Sequence, residues 1–178
     1  AISQNSWSYL APDFFPAYMA DAIDYFIAYG GGGQLKGGLV IFAAGNYNSE
    51  SKYFPAPYSR VIAVGATNHN DGRASYSSYG SWVDIMAPGG ESAAPILSTL
   101  LGNTYGTLFG TSMSCPIVSG TAALIVSHLP GRLQADEVRS LLLYGKDDIY
   151  PLNAPSLQGK LGSGRLNAWK ALLRADSI

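Results

Sequence analysis

The sequence predicts an α/β fold with a mostly parallel sheet, and two observations carry this prediction. Three continuous apolar segments, residues 38–44, 61–66 and 83–87, have the length and β-branching of strands buried on both faces. Segments with helical periodicity lie before and after them, and strands that alternate with helices favour a layered parallel sheet. Residues 1–178 therefore form one domain or part of one.

The other elements follow from local patterns. Residues 1–7 predict a short strand ahead of the first helix. Four glycines at 30–33 end that helix, since each glycine costs about 1 kcal/mol relative to alanine in a helix. Residues 112–129 are apolar on nearly every side, which predicts a helix buried all round. The predicted helices, where apolar residues recur at helical spacing, are residues 13–29, 112–129, 134–143 and 166–173.

The composition excludes several classes of protein. Hydrophobic residues make up 47% and charged residues 13%, so the chain has enough apolar surface to fold. The net charge of -1 offers no electrostatic attraction for nucleic acid or an anionic membrane. No apolar run reaches the roughly 18 residues of a membrane helix. One cysteine and two histidines leave a metal site poorly supplied, so we expect none.

The start of the chain has neither an initiator methionine nor a charged leader. We expect that the sequence begins in the middle of a longer protein. A mature N-terminus produced by processing is the alternative.

The segment 110–116, GTSMSCP, is the strongest local indication of chemistry. Its small residues bring Ser112 to the start of a predicted helix, where unpaired N–H groups and the helix dipole favour an oxyanion. Ser112 or Thr111 as a simple N-cap is the alternative. The esterase elbow does not match, because Ser114 stands where that motif has its second glycine.

The segment 43–46, AAGN, ends a predicted buried strand. Side chains at the carboxyl ends of parallel strands face the crevice where ligands bind, so Asn46 is a candidate N–H donor. An ordinary turn asparagine with positive φ is the alternative.

Together these segments resemble the subtilisin-like serine proteases, the S8 or subtilase family. Six motifs occur in the order of that family, and the resemblance runs from about Ile2 to about Leu172, nearly the whole chain. The motifs are residues 43–46 (AAGN), 54–66 (FPA to VIAVGA), 73–80 (RASYSSYG), 84–89 (DIMAPG), 110–116 (GTSMSCP) and 162–168 (GSGRLNA).

The resemblance implies a three-layer fold, incomplete here because its N-terminal strands are absent, and a role for each matching residue. Ser112 is the implied acylated nucleophile of a peptide-bond hydrolase, and Asn46 donates its side-chain N–H to the oxyanion. An extended polypeptide substrate would pair with the edge segment 5–8, and its large apolar P1 side chain would point toward residues 43–45. The implied substrate-binding residues are Ser6, Trp7, Ser8, Ala43, Ala44 and Gly45.

Ser8 stands where the family usually has glycine, so its Cβ is expected to crowd the substrate backbone and narrow specificity. The Phe54–Pro55 bond is expected to be cis, like the corresponding family bond.

The histidine and aspartate of the family's triad have no matching motif in this chain. His128 lies sixteen residues after Ser112, about 24 Å along a helix, and is excluded as the base. His69 lies in a polar turn and is a poor candidate. Cys115 is interpreted as a buried small hydrophobe rather than a reactive thiol. Asp84 is interpreted as a structural carboxylate; family members often bind calcium, largely through segments absent here.

The leading hypothesis is the C-terminal half of a subtilisin-like endopeptidase, inactive alone because the base is missing. A non-catalytic pseudoprotease or peptide-binding module is the alternative, and an unrelated α/β hydrolase or deaminase is a third. A sheet cut part way exposes a strand edge, so we expect the isolated chain to self-associate. The family's habit of secretion implies an extracellular or cell-envelope location.

Overall fold

The computed structural model describes residues 1–177 and has the predicted α/β fold with a mostly parallel sheet. The strands are β1 (Ile2–Asn5), β2 (Leu39–Ala43), β3 (Ile62–Thr67), β4 (Ile85–Pro88), β5 (Ile96–Leu100), β6 (Thr104–Leu108), β7 (Lys146–Asp147) and β8 (Arg165–Leu166). The central sheet has the order β1-β2-β3-β4-β8-β7, and only β7 within it runs antiparallel to its neighbour. β5 and β6 form a separate antiparallel hairpin.

Helices cover the central sheet on both faces and give three layers. The helices are α1 (Ala17–Tyr29), α2 (Thr111–His128), α3 (Ala135–Tyr144) and α4 (Ala168–Ala175). Alternate side chains of β2 divide between the layers, as a pleated strand requires. Leu39 and Ile41 pack with α2 and α3, whereas Val40 and Phe42 pack with Ile23 of α1.

The first helix begins four residues later than predicted. Pro16 occupies the N-cap position, and a proline disfavours helical geometry in the residue before it. Asp13 has a φ of 58°, which lies outside the helical region. Phe15 still packs beside α1, against the ring of Phe54 at 4.6 Å, so its apolar character was interpreted correctly although it lies outside the helix.

The prediction that α2 is buried all round is wrong for one of its faces. Val118, Ala122 and Ile125 are buried against the sheet, whereas Leu124 is 55% exposed. The sequence pattern does not reveal this because both faces are built from apolar and small residues.

The C-terminal helix also begins later than predicted, at Ala168. Arg165 and Leu166 pair as β8 with β4 and β7, and Asn167 caps α4 by accepting a 3.1 Å hydrogen bond from the Lys170 N–H.

Within residues 1–177 no helix has both the length and the hydropathy needed to cross a membrane.

The fold brings the beginning of α2 to the carboxyl ends of β2 and β4. The Ser114 hydroxyl donates to the Ala87 carbonyl of β4 at 2.9 Å. The Cys115 thiol lies 3.5 Å from the Asn5 carbonyl of β1. These contacts fix the first turn of α2 to the sheet edge where ligands bind in parallel α/β folds.

Candidate active site

Ser112 is the second residue of α2, directly after Thr111. The N-cap is Gly110, so neither Ser112 nor Thr111 takes the simple capping role that was the alternative. The Ser112 N–H belongs to the first turn, whose N–H groups lack partners inside the helix. The Ser112 hydroxyl and the free Ser112 N–H therefore lie together at the positive end of the helix dipole.

Gly110 shapes the turn that delivers Ser112. Its φ of 149° suits glycine, and an added Cβ would lie 3.4 Å from the Asn46 amide nitrogen. The Gly110 N–H donates to the Gly89 carbonyl at 3.0 Å. Tyr76 supports the same turn by donating its hydroxyl to the Gly90 carbonyl at 2.8 Å. Burial raises the pKa of Tyr76 to about 12, so its hydroxyl remains a donor well into the alkaline range.

Asn46 is held by Thr111 in an orientation that frees its amino group. The Thr111 N–H and hydroxyl both donate to Asn46 Oδ1, at 2.9 and 2.8 Å. The Thr111 oxygen in turn accepts from the Gly45 N–H at 3.2 Å. With Oδ1 engaged, Nδ2 is the group left to donate. Asn46 does not have the positive φ of the turn asparagine that was the alternative; Asn48 does.

The loop that carries Asn46 is fastened by the segment 73–79. The Ser78 N–H donates to the Gly45 carbonyl at 2.9 Å. The Asn48 N–H donates to the Tyr76 carbonyl at 2.8 Å, and the Arg73 guanidinium donates to Asn48 Oδ1 at 2.9 Å. This clamp explains why the motif 73–80 accompanies the asparagine segment.

The Phe54–Pro55 bond is cis, as the resemblance implied.

A cavity of about 330 Å³ opens beside Ser112 and collects most of the predicted site residues. Its lining residues are Ser6, Trp7, Ser8, Leu10, Ala43, Gly45, Asn46, Tyr47, Thr111 and Ser112. The sequence interpretation gave no site role to Leu10, Tyr47 or Thr111. Tyr47 and Thr111 each adjoin a predicted catalytic residue, and that adjacency was the available signal.

Ala44 is the exception among the predicted substrate-binding residues, because it does not line this cavity. It is fully buried and packs with Val83 and Met86 on the other side of the strand. Ala43 is also buried, at 4% exposure, but it lies at the cavity wall and packs with the other core cluster, which includes Ile41 and Ile62.

The edge segment lies along the rim of this cavity. The Ser6 hydroxyl donates to the Ser112 carbonyl at 3.1 Å. Trp7 packs edge-on against Phe42, with ring centroids 5.3 Å apart. The Ser8 hydroxyl lies 3.4 Å from the Tyr47 hydroxyl, so the side chain that replaces the usual glycine contacts the opposite wall. This contact narrows the cavity between the two walls.

Neither histidine of the chain lines this cavity. His128 ends α2 and contacts Asp176, and His69 contacts Asn70 in an exposed turn. Cys115 is fully buried, and burial raises the pKa of its thiol, which agrees with a packing role. Among residues 1–177, no histidine, aspartate or glutamate lines the cavity beside Ser112.

Asp84 has a structural role. Its carboxylate accepts from the Ala63 N–H at 2.8 Å and pairs with Arg139 at 2.8 Å. Residues 1–177 bring no three histidine, cysteine, aspartate or glutamate side chains together.

Comparison with known proteins identifies the family of this chain. A model of the subtilase family, peptidase S8, matches residues 2–164. The chain belongs to the subtilase family. This subtilase is 40% identical to thermitase from Thermoactinomyces vulgaris over 137 residues, 77% of this chain and 45% of thermitase. It is 50% identical over 93 residues to a thermophilic serine proteinase from Bacillus sp. (strain AK1), covering 52% of this chain and 22% of that protein.

Solved structures agree with the family. A structure described as proteases from Pseudoalteromonas arctica PAMC 21717 matches with a TM-score of 0.79 and 30% identity, covering 96% of this chain and 50% of that one. The prenylagaramide maturation protease PagA matches with a TM-score of 0.81 and 25% identity, covering 98% and 62%. The subtilase described here spans less than half the length of these two curated relatives.

Proposed function

We propose that this chain is the C-terminal part of the catalytic unit of a serine endopeptidase, with Ser112 as its nucleophile. The observation that carries the proposal is the Thr111–Asn46 arrangement, which leaves the Asn46 amino group free beside the first turn of α2. An amide N–H and a backbone N–H that converge near a serine hydroxyl favour the oxyanion of acyl transfer.

The substrate of this proposal is an extended polypeptide. Its backbone would add to the edge segment Ser6, Trp7 and Ser8 through main-chain hydrogen bonds. The cavity between Ala43 and Tyr47 would take the P1 side chain. The apolar and aromatic lining favours a large apolar P1 residue.

The base and the carboxylate that orients it would come from polypeptide outside this chain. A serine hydroxyl is a weak nucleophile until an adjacent base removes its proton. Labelling and hydrolysis by this chain alone are therefore expected to be negligible. By the habit of the family, the whole protein would act outside the cell or in the cell envelope, and calcium would bind to its other segments.

Labelling with a fluorophosphonate probe tests this proposal. The probe acylates a serine whose base and oxyanion site are assembled. We expect no labelling of this chain and rapid labelling of a longer polypeptide that includes the residues encoded upstream. Ser112→Ala should abolish the labelling, whereas Ser127→Ala, at the exposed far end of α2, should leave it unchanged.

Asn46→Ala in the labelling-competent polypeptide should lower the labelling rate by about 10² to 10³, the cost known for the corresponding asparagine of subtilisin. Asn70→Ala, in the exposed turn with His69, is the matched control. Labelling of the short chain at Ser112 would contradict the proposed absence of a base. No labelling of either polypeptide would favour the pseudoprotease or peptide-binding module instead.

A further inference from the structure

The β5–β6 hairpin is the least supported element of the described chain. Its two strands form a sheet of their own, and they contact chiefly each other. An isolated two-stranded hairpin is marginally stable in water. Both outer edges carry backbone N–H and C=O groups that no other strand among residues 1–177 pairs with. An exposed edge of this kind is a template for another strand.

Both faces of the hairpin carry apolar side chains among small and hydroxyl-bearing ones. Directly paired residues share a face, which places Ile96, Leu108 and Leu100 on one side. Leu97 and Tyr105 lie on the other side and are 67% and 76% exposed. These exposed apolar side chains are available for contact with another surface.

The absence of charge distinguishes this hairpin from a protected edge. Residues 92–131 contain no aspartate, glutamate, lysine or arginine. Natural edge strands are blunted by lysine, proline or inward charges, and neither β5 nor β6 contains any of these. An uncharged surface suffers no repulsion when it faces a copy of itself.

The sequence of β5 is suited to antiparallel pairing with itself. A two-fold axis at Ser98 sets Ile96 opposite Leu100 of the second copy and Leu97 opposite Thr99 of the second copy. Apolar β-branched and leucine side chains then meet directly, which stabilises cross-strand pairs. The equivalent axis in β6 falls on Gly106, which offers no side chain to pack.

The outer edge of β1, at one end of the central sheet, is partly protected. The Asn5 side chain donates to the Ser3 carbonyl of the same strand at 3.2 Å. Ser3, Gln4 and Asn5 also give this edge a polar character. The β1 edge is the weaker of the two association surfaces.

We infer that the β5–β6 hairpin is a self-association surface, where β5 pairs antiparallel with β5 of a second copy. The contact is isologous and closes a dimer with a four-stranded sheet. It is independent of catalysis, since it uses neither Ser112 nor Asn46.

Sedimentation equilibrium between about 10 and about 100 µM, the range in which such edges associate, tests the inference on this chain. The wild type should approach twice the mass of one chain. Leu97→Lys should raise the dissociation constant about tenfold or more, because it places two like charges in the interface. Leu152→Lys, at a leucine that is 59% exposed elsewhere, is the matched control and should leave the mass unchanged.

Two further variants keep the test decisive. Thr99→Lys carries a charge on the same strand and should act like Leu97→Lys, while circular dichroism reports that each variant is folded. A wild type that stays monomeric would overturn the inference. So would a dimer that Gln4→Lys, on β1, dissociates and the β5 variants do not. Labelling at Ser112 does not enter these outcomes, so the two proposals fail separately.

Discussion

At the scale of single residues, Thr111 connects the nucleophile turn to the oxyanion asparagine. A primary amide has two ends of similar shape, and only its hydrogen bonds decide which end faces the cavity. The two bonds from Thr111 hold the Asn46 oxygen on the inner side. The hydroxyl bond is the one that a side-chain substitution removes.

Thr111→Val tests this orientation in a polypeptide that labels at Ser112. The substitution removes the bond that the hydroxyl donates to Asn46 and the bond that it accepts from the Gly45 N–H. At about 1 kcal/mol each, their loss should slow labelling about tenfold or more, and Thr111→Ser should restore most of the rate. Thr121→Val removes a comparable bond, to the Ile117 carbonyl within α2, and serves as the control. Equal slowing by the two valine variants would mean that stability of the helix, not orientation of Asn46, is responsible.

The sequence predicted Asn46 and Ser112 as site residues because each lies in a motif whose order along the chain is specific, and the structure brings both to one cavity. It assigned Ala44 to the pocket because the side to which a residue points at a strand end depends on the backbone, which a motif does not describe. Tyr47 was missed for the same reason: the direction of the loop after Asn46 is set by bonds to the distant segment 73–79.

At the scale of elements, Asp147 organises the C-terminal part of the sheet. Its carboxylate accepts from Lys170 at 2.6 Å, from Arg165 at 2.6 Å and from Asn167 at 3.0 Å. These bonds join β7, β8 and α4, three elements too short to be stable alone. The bond from Lys170 is the main cause that lowers the pKa of Asp147 below its ordinary value.

Asp147→Asn should lower the free energy of unfolding by about 1 to 2 kcal/mol near pH 7, after allowance for solvent screening. A carboxyl with a lowered folded pKa stabilises the protein above its unfolded pKa, and this contribution is lost as pH falls through the folded pKa. The difference between wild type and variant should therefore be constant above about pH 5 and shrink below about pH 4. Urea unfolding across this range measures it.

Asp21→Asn, on the exposed side of α1, is the control for this prediction and should have little effect at any pH. A difference for Asp147→Asn that persists unchanged into acid would show that the ionised carboxylate is not the stabilising group.

At the scale of the whole molecule, local patterns predicted the layers but not all of their boundaries. The three buried apolar runs were enough to predict a parallel sheet. The order of strands was beyond local reasoning, since β8 enters between β4 and β7 from a position about eighty residues after β4. The open face of α2 was missed because small apolar residues are compatible with either a core or a surface.

Arg139 and Asp84 tie two of these layers together. Arg139, on α3, donates to the Val61 carbonyl at 2.7 Å and to the Asp84 carboxylate at 2.8 Å, at the entrance of β3 and β4. Burial raises the pKa of Asp84 above its ordinary value, and Arg139 acts in the opposite direction. The pair is about three-quarters buried, so its loss leaves a carboxylate poorly solvated.

Arg139→Ala should destabilise the fold by about 2 to 3 kcal/mol near pH 7, less than for a fully buried pair. The pKa of Asp84 should then rise further, so the folded variant binds a proton more tightly than the unfolded chain does. The difference in unfolding free energy between wild type and this variant should shrink as pH falls from about 7 to about 5, because protonation of Asp84 removes the unpaired charge. Urea unfolding at the two pH values measures both effects. Arg60→Ala, which breaks a more exposed pair with Asp24, should cost at most about 1 kcal/mol. A deficit for Arg139→Ala that is the same at both pH values would mean that Arg139 acts through packing and its bond to Val61, and not through the charge of Asp84.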